Sequence, residues 1–231
     1  MLGVLGGTFD PVHDGHVAAA VAAERALKLR SVLLIPSRLP PHRPEQARVN
    51  PLHRLAMTTL AAADHPSWSV SDIELKRDGP SYTFDTLTEL SRQEHRPSQI
   101  FFITGADAFA EIATWSRYPA VLDLAHFAVV ARPGITLDSL KKRLPDLAER
   151  MTTPVSFKPQ PGSQRGSRAG VEAGSKPSDN TRIILIEAET PDISSTGIRR
   201  RLQAGESITG LVPNFVGTYI AHHRLYVEAG L

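Results

Sequence analysis

Two histidines three positions apart, His13 and His16, follow a glycine pair, Gly6-Gly7, at the end of the apolar run Met1 to Leu5. Behind them an Ala-rich segment, Val17 to Leu29, has the make-up of a helix. Strand, glycine turn, imidazoles and helix start form an order suited to phosphate. Free backbone N–H groups and the positive end of the helix dipole face an anion there, with imidazole nitrogens beside them. Two other chemistries compete for the same residues. A spacing of three suits a metal pair on one helical face, but His13 precedes the helix and no third ligand stands at zinc-protease spacing. The rings also serve as plain turn caps. Phosphate contact is the reading that explains most of the surrounding residues.

A second group of the same character lies near the other end, at Pro191-Asp-Ile-Ser194-Ser195-Thr196-Gly197-Ile-Arg199. It offers hydroxyls at a helix start and a guanidinium one turn in. Alone it is an ordinary Ser/Thr cap, with Arg199 to Arg201 a solvated basic face. Beside the first loop it makes a fork for phosphate oxygens. Gly170-Val-Glu-Ala-Gly174-Ser-Lys176 is one residue short of a P-loop and has no strand before it. A Gly-x-Ser-x-Gly elbow is absent, so an esterase-like serine is unsupported.

The elements that must position these groups alternate. Apolar, β-branched runs at 31–35, 68–75, 100–103, 127–130 and 182–186 read as strands. Between and after them, 51–63, 83–94, 108–113, 120–124, 137–150, 194–202 and 215–226 read as helices. The pattern predicts an α/β fold: a Rossmann-like, doubly wound parallel sheet with helices on both faces and a small C-terminal helical part, one domain spanning 1–231. Ligands in such sheets sit beyond the carboxyl ends of the strands. The loops 6–16, 105–107 and 187–199 all fall there. Lys158 to Asn180 is Gly, Ser, Pro and charge, and is expected to be a disordered insertion.

Composition bounds the partners. In 231 residues, 26 basic against 24 acidic side chains leave a net charge of +2, which favours a local anion site over a nucleic-acid surface. With no cysteine, thiolate nucleophiles, zinc fingers and iron–sulfur clusters are excluded. No apolar run approaches a membrane span, and Met1 leads straight into a core strand, so a cytoplasmic protein is expected.

Gly7-Thr8-Phe9-Asp10-Pro11-Val12-His13-Asp14-Gly15-His16 together with Ile193-Ser-Ser-Thr-Gly-Ile-Arg199 resembles the paired signature of HIGH-superfamily nucleotidyltransferases. Within that superfamily the chain is similar to the bacterial nicotinate-nucleotide adenylyltransferase family. Pro40-Pro41-His42-Arg43, Pro80-Ser81-Tyr82-Thr83, Gly105-Ala106-Asp107, Thr114-Trp115, Arg132-Pro133-Gly134 and Tyr219-Ile220 carry the likeness along the chain.

The resemblance implies transfer of AMP from ATP to nicotinate mononucleotide, with Mg²⁺ accompanying ATP and no protein-held metal. It implies catalytic roles for His16, at the α-phosphate, for His13, on the triphosphate, and for Arg199, on the leaving pyrophosphate. Gly7, Thr8, Phe9, Arg43, Asp107, Ser195 and Thr196 would complete the ATP site. Thr83, Trp115 and Arg132 would bind the nicotinate nucleotide. Arg43 stands where relatives commonly carry lysine, which keeps the charge but changes its reach. Homo-oligomerisation is left open. The alternatives are an adenylyltransferase for nicotinamide mononucleotide or another phosphorylated acceptor, and a non-catalytic nucleotide sensor.

Overall fold

A computed structural model of the chain describes residues 1–40, 48–93, 95–131, 135–157 and 181–227. Among these, β1 (Leu2–Gly7), β2 (Ser31–Pro36), β3 (Trp68–Val70), β4 (Ile100–Gly105), β5 (His126–Ala131), β6 (Met151–Thr152) and β7 (Ile183–Glu187) make one sheet. Its order is β3-β2-β1-β4-β5-β7-β6, and every pairing is parallel. The chain winds outward from β1 in one direction and from β4 in the other. The crevice between these two strands is therefore the topological switch point, where α/β sheets bind ligands.

The helices are α1 (Asp14–Leu27), α2 (Pro51–Ala62), α3 (Thr83–Arg92), the single turn α4 (Ala106–Phe109), α5 (Leu137–Arg143), α6 (Ser195–Gln203) and α7 (Asn214–His222). They cover both faces, which explains why the strands are apolar runs rather than alternating ones. β5 shows the division. Ala128 and Val130 join the core made with Ala20 and Ala23 of α1, Met57 of α2 and Val216 of α7. Phe127, Val129 and Ala131 point the other way, into a core with Leu87, Leu90, Phe109 and Leu140. Successive side chains serve opposite cores, as the pleat requires.

The predicted fold class is the observed one, and the differences lie at element ends. α1 starts at Asp14 rather than Val17, because His13 is its N-cap and the non-apolar first turn carries no periodicity. β3 stops at Val70 instead of 75: the chain turns at Asp72, whose carbonyl accepts from the N–H of Leu75 and Lys76. The helix expected over 137–150 breaks at Pro145, which lacks an N–H, and continues as a 3₁₀ segment. β6, two residues long, is too short to leave a pattern. α7 ends at His222, four residues before the expected end. The expected insertion at 158–180, Arg43 and Arg132 lie outside the described residues.

Candidate active site

β1 delivers the chain to the switch point and the glycine turn reverses it. A Cβ on Gly7 would lie 2.9 Å from the Phe9 ring, so only glycine lets the turn close on that side chain. Phe9 is 1% exposed and sits edge-on to His16, ring centroids 5.1 Å apart. It supports the imidazole from below and offers a ligand only its backbone. His13 and His16 stack on each other at 3.7 Å and 29°. Gly15 permits this: a Cβ there would stand 3.1 Å from the His13 ring.

The state of the two imidazoles follows from their surroundings. The His13 N–H donates to His16 Nδ1 (3.3 Å), so the proton of a neutral His16 sits on Nε2. Burial lowers the His13 pKa from 6.5 to about 4. Burial, and then the neighbouring His13, hold His16 well below its ordinary value. Both rings are neutral at pH 7, so they stabilise an anion by donating hydrogen bonds rather than by charge. Nδ1 of His13 is buried with no partner among the described residues.

Positive charge enters from α6. Ser194 caps this helix, its Oγ accepting from the Gly197 N–H at 3.1 Å. Ser195 Oγ donates to the Pro11 carbonyl (2.9 Å), and Arg199 Nη1 donates to the Asp10 carbonyl (2.7 Å). Arg199 Nη2 donates to Thr196 Oγ1 at 3.2 Å, leaving the rest of a guanidinium's five N–H groups for other acceptors. The expected convergence of the 6–16 and 187–199 loops is thus observed, with one refinement. The Ser195 hydroxyl proton is engaged by Pro11, so what this residue offers a phosphate is its backbone N–H at the helix start.

Two residues that pattern reading missed hold this arrangement. Asp10, 1% exposed, accepts from the Arg48 N–H (2.6 Å) and from the Tyr226 hydroxyl (2.7 Å). Arg54 of α2 is fully buried and donates to the carbonyls of Thr8 (2.7 Å), Ser37 (2.6 Å) and Arg38 (3.1 Å). It ties the loop after β1 to the loop after β2. A polar residue beside Met57 and Thr58 inside a helix gives no sequence sign of that task.

On the other side of the glycine turn lies a cleft of about 560 Å³. Gly7 and Thr8 form one wall, Tyr82 and Thr83 another, and Phe102, Trp115 and Glu74 belong to its lining. Trp115 meets Phe102 edge-on at 5.9 Å, so its indole is braced from within. Thr83 is the first residue of α3, as expected, and Tyr82 is its N-cap. The start of α3 thus stands at the cleft wall, which Tyr82 and Thr83 line. Glu74, 6% exposed, accepts from Thr86 Oγ1 at 2.6 Å. Burial raises its pKa, and hydrogen bonds from Thr86 and Ser81, with the Arg77 charge, partly oppose that rise. Asp107, on α4, is exposed and stands outside the cleft lining. Among the described residues there is no cluster of histidines and carboxylates able to hold a metal ion.

Comparison with known proteins agrees with this geometry. The cytidylyltransferase-like family matches residues 4–201. A Geobacter sp. (strain M21) protein named "Probable nicotinate-nucleotide adenylyltransferase" is 39% identical over 228 residues, 99% of each chain. One of the same name from Roseiflexus sp. (strain RS-1) is 40% identical over 225 residues, 97% of each. Among solved structures, Plasmodium falciparum nicotinic acid mononucleotide adenylyltransferase complexed with NaAD superposes with a TM-score of 0.66. The match covers 97% of this chain and 96% of that one at 16% identity, and so speaks for the fold.

Proposed function

The chain belongs to the cytidylyltransferase-like family, among the nicotinate-nucleotide adenylyltransferases, and we propose that it transfers the adenylyl group of ATP to nicotinate mononucleotide. The products are deamido-NAD, an intermediate of NAD synthesis, and pyrophosphate. The observation that carries this reading is identity of 39–40% over at least 97% of the chain to relatives named for the reaction. The two-sided site supports it.

The acceptor's phosphate is already an anionic nucleophile and needs no general base. One of its oxygens attacks the α-phosphorus of ATP, a P–O bond forms, the α–β bridge breaks, and pyrophosphate leaves with the electron pair. The enzyme's task is alignment and stabilisation of the charge that develops. His16, with its proton on Nε2, donates to an α-phosphoryl oxygen. His13, the backbone N–H groups of Gly7, Thr8 and Phe9, and those of Ser195 and Thr196 hold the remaining phosphates. Arg199 meets the leaving group, aided by Arg43. Thr83 and the α3 start receive the nicotinate carboxylate, Trp115 the pyridine ring, Arg132 the nucleotide phosphate, and Asp107 the adenosine ribose. ATP would enter with Mg²⁺, whose charge would offset that of the pyrophosphate oxygens. A cation carried on substrate oxygens fits a site whose described residues offer no carboxylate cage.

This is a metabolic activity without nucleic-acid or membrane partners. We propose the cytoplasm as its compartment, where a reaction between two water-soluble nucleotides belongs. The test is purified protein with ATP, Mg²⁺ and either mononucleotide, followed by pyrophosphate release. Release with nicotinate mononucleotide is expected. No release with either acceptor sinks the proposal, and preference for the amide sinks the role of Thr83.

A further inference from the structure

Asp10 is an unusual place for a charge. It is 1% exposed, directly behind the glycine turn, and a buried carboxylate is tolerated only when its oxygens are paired. Oδ2 accepts from the Arg48 N–H at 2.6 Å and Oδ1 from the Tyr226 hydroxyl at 2.7 Å. Arg199, the cation of the site, does not close on this carboxylate. Its Nη1 bonds the Asp10 backbone carbonyl at 2.7 Å and stays 3.9 Å from Oδ2. Arg54 is the other guanidinium whose charge acts on the Asp10–Tyr226 pair.

The chain goes out of its way to bring the phenol here. After α7 ends at His222, residues 223–226 turn back towards β1 instead of continuing the helix. Arg224 (φ 48°) is the left-handed residue that closes α7, the Leu225 N–H donating to the Ile220 carbonyl at 3.0 Å, and Tyr226 (φ 64°) is left-handed again, at a cost on the order of 1 kcal/mol or more for a non-glycine residue. Leu225 between them is pinned in the core at 8% exposure. The second left-handed residue is the one whose hydroxyl meets Asp10, so the turn beyond the helix cap ends on that contact.

We propose that Tyr226 is a positioning residue for the nucleotide phosphates: by satisfying Asp10 it keeps Arg199 from collapsing onto the carboxylate and leaves the guanidinium free for ATP. The inference rests on Arg199 facing the triphosphate, as proposed above. Without the hydroxyl, Oδ1 lacks its donor, and the Arg199 guanidinium stands 3.9 Å from the other oxygen of the same carboxylate. Closing the 3.9 Å gap to a direct ion pair would satisfy the carboxylate and withdraw the cation from substrate. Burial keeps the Tyr226 phenol protonated, with the Asp10 charge and hydrogen bond adding to the effect, so it remains a donor.

The experiment is a double-mutant cycle read by ATP binding in calorimetry, with Mg²⁺ and no acceptor. Phe keeps the ring and its packing, so Tyr226→Phe tests the hydroxyl alone. It is expected to weaken ATP about tenfold, the lower range for a hydrogen bond to a charged group. In the Arg199→Ala background the same change should cost less than about twofold. Leu225→Ala, which loosens the same segment without touching the hydroxyl, should lower Tm and leave ATP affinity unchanged. Unchanged affinity in Tyr226→Phe overturns the proposal, as does a full loss repeated in the Arg199→Ala background. An equal loss in Leu225→Ala overturns it too, since the segment would then be a mere tether. Because no acceptor is present, a wrong acceptor assignment leaves the result standing.

Discussion

The two sides of the glycine turn are built in opposite ways. On the phosphate side the bonds are long-range: Ser195 to Pro11, Arg199 to Asp10 and Tyr226 to Asp10 join residues 184, 189 and 216 positions apart. Asp10 and His13 are buried there, and the side chains of Asp10, Ser195, Arg199 and Tyr226 are already bonded within that side. On the cleft side the bonds span shorter stretches of chain, 4 and 12 positions from Thr86 to Tyr82 and Glu74 and 43 from Arg38 to Ser81, and the space between the walls is open. The difference fits a division of labour. Groups that meet charge appearing only in the transition state must be fixed beforehand, since rearranging them during reaction would raise the barrier. A cleft that binds an acceptor equally before and during reaction needs shape and a few anchors. Mutations on the first side should therefore lower kcat, and those on the second should raise KM.

The sharpest way to break this contrast is His16→Ala. Removing one preorganised donor costs about 10²–10³ in turnover, or roughly 3–4 kcal/mol of barrier. Steady-state rates at saturating ATP should fall by that much, with KM for the mononucleotide nearly unchanged. If kcat survives and the acceptor KM rises instead, the two sides are not divided as described.

Acid acts on the two histidines and on Glu74 with opposite sign. His13 binds a proton near pH 6.5 when unfolded and near 4 when folded. Between those values the unfolded state holds more protons, so stability falls as pH drops, by on the order of 3 kcal/mol across the window. His16 acts in the same direction. Glu74 acts in the other: its raised pKa makes protonation favour the folded state. Denaturant unfolding at pH 7.5 and 5 should show wild type losing stability in acid and His13→Gln losing less. Equal losses would mean that the buried imidazole is not the neutral ring described.

How much of this was readable from residues alone depends on the range of the interaction. His13, His16, Ser195, Thr196 and Arg199 stand in short motifs, and the strands that carry them are continuous apolar runs, so both fold and site motifs were legible. The closing contacts were not. Asp10 lies inside the first motif, but its partner Tyr226 is 216 positions away and reaches it through two residues of left-handed backbone, which no periodicity encodes. Arg54 sits in a helix whose other inward residues, Thr58 apart, are apolar, and only packing shows that it bonds three carbonyls. Glu74 was read as part of a strand and instead lies within the turn that begins at Asp72, in the cleft wall. Motifs record the groups that meet substrate, whereas the groups that hold them are fixed by burial.

On the cleft side the expected effects are smaller. Trp115→Ala removes a braced indole and should raise the acceptor KM about tenfold, in line with the roughly 1–1.5 kcal/mol of an aromatic pair. Thr83→Val should narrow the preference for the acid over the amide while leaving KM for ATP in place. Parallel titrations of the two mononucleotides read both. A fall in kcat at saturating acceptor, with KM unmoved, would put Trp115 on the transition-state side.

Ser195→Ala is the finest probe, because its hydroxyl belongs to the phosphate side without meeting substrate. The lost bond to the Pro11 carbonyl is worth about 1 kcal/mol. The first-turn N–H of residue 195 is untouched by the substitution, so direct phosphate contact is preserved. The loss should therefore appear as a stability decrease of that size in denaturant unfolding, with kcat reduced no more than about threefold. A far larger drop in kcat would show that the hydroxyl leaves Pro11 for the nucleotide during turnover. Preorganisation at this helix end would then be completed by substrate rather than built in beforehand, and the contrast between the two sides would hold for the histidine loop alone.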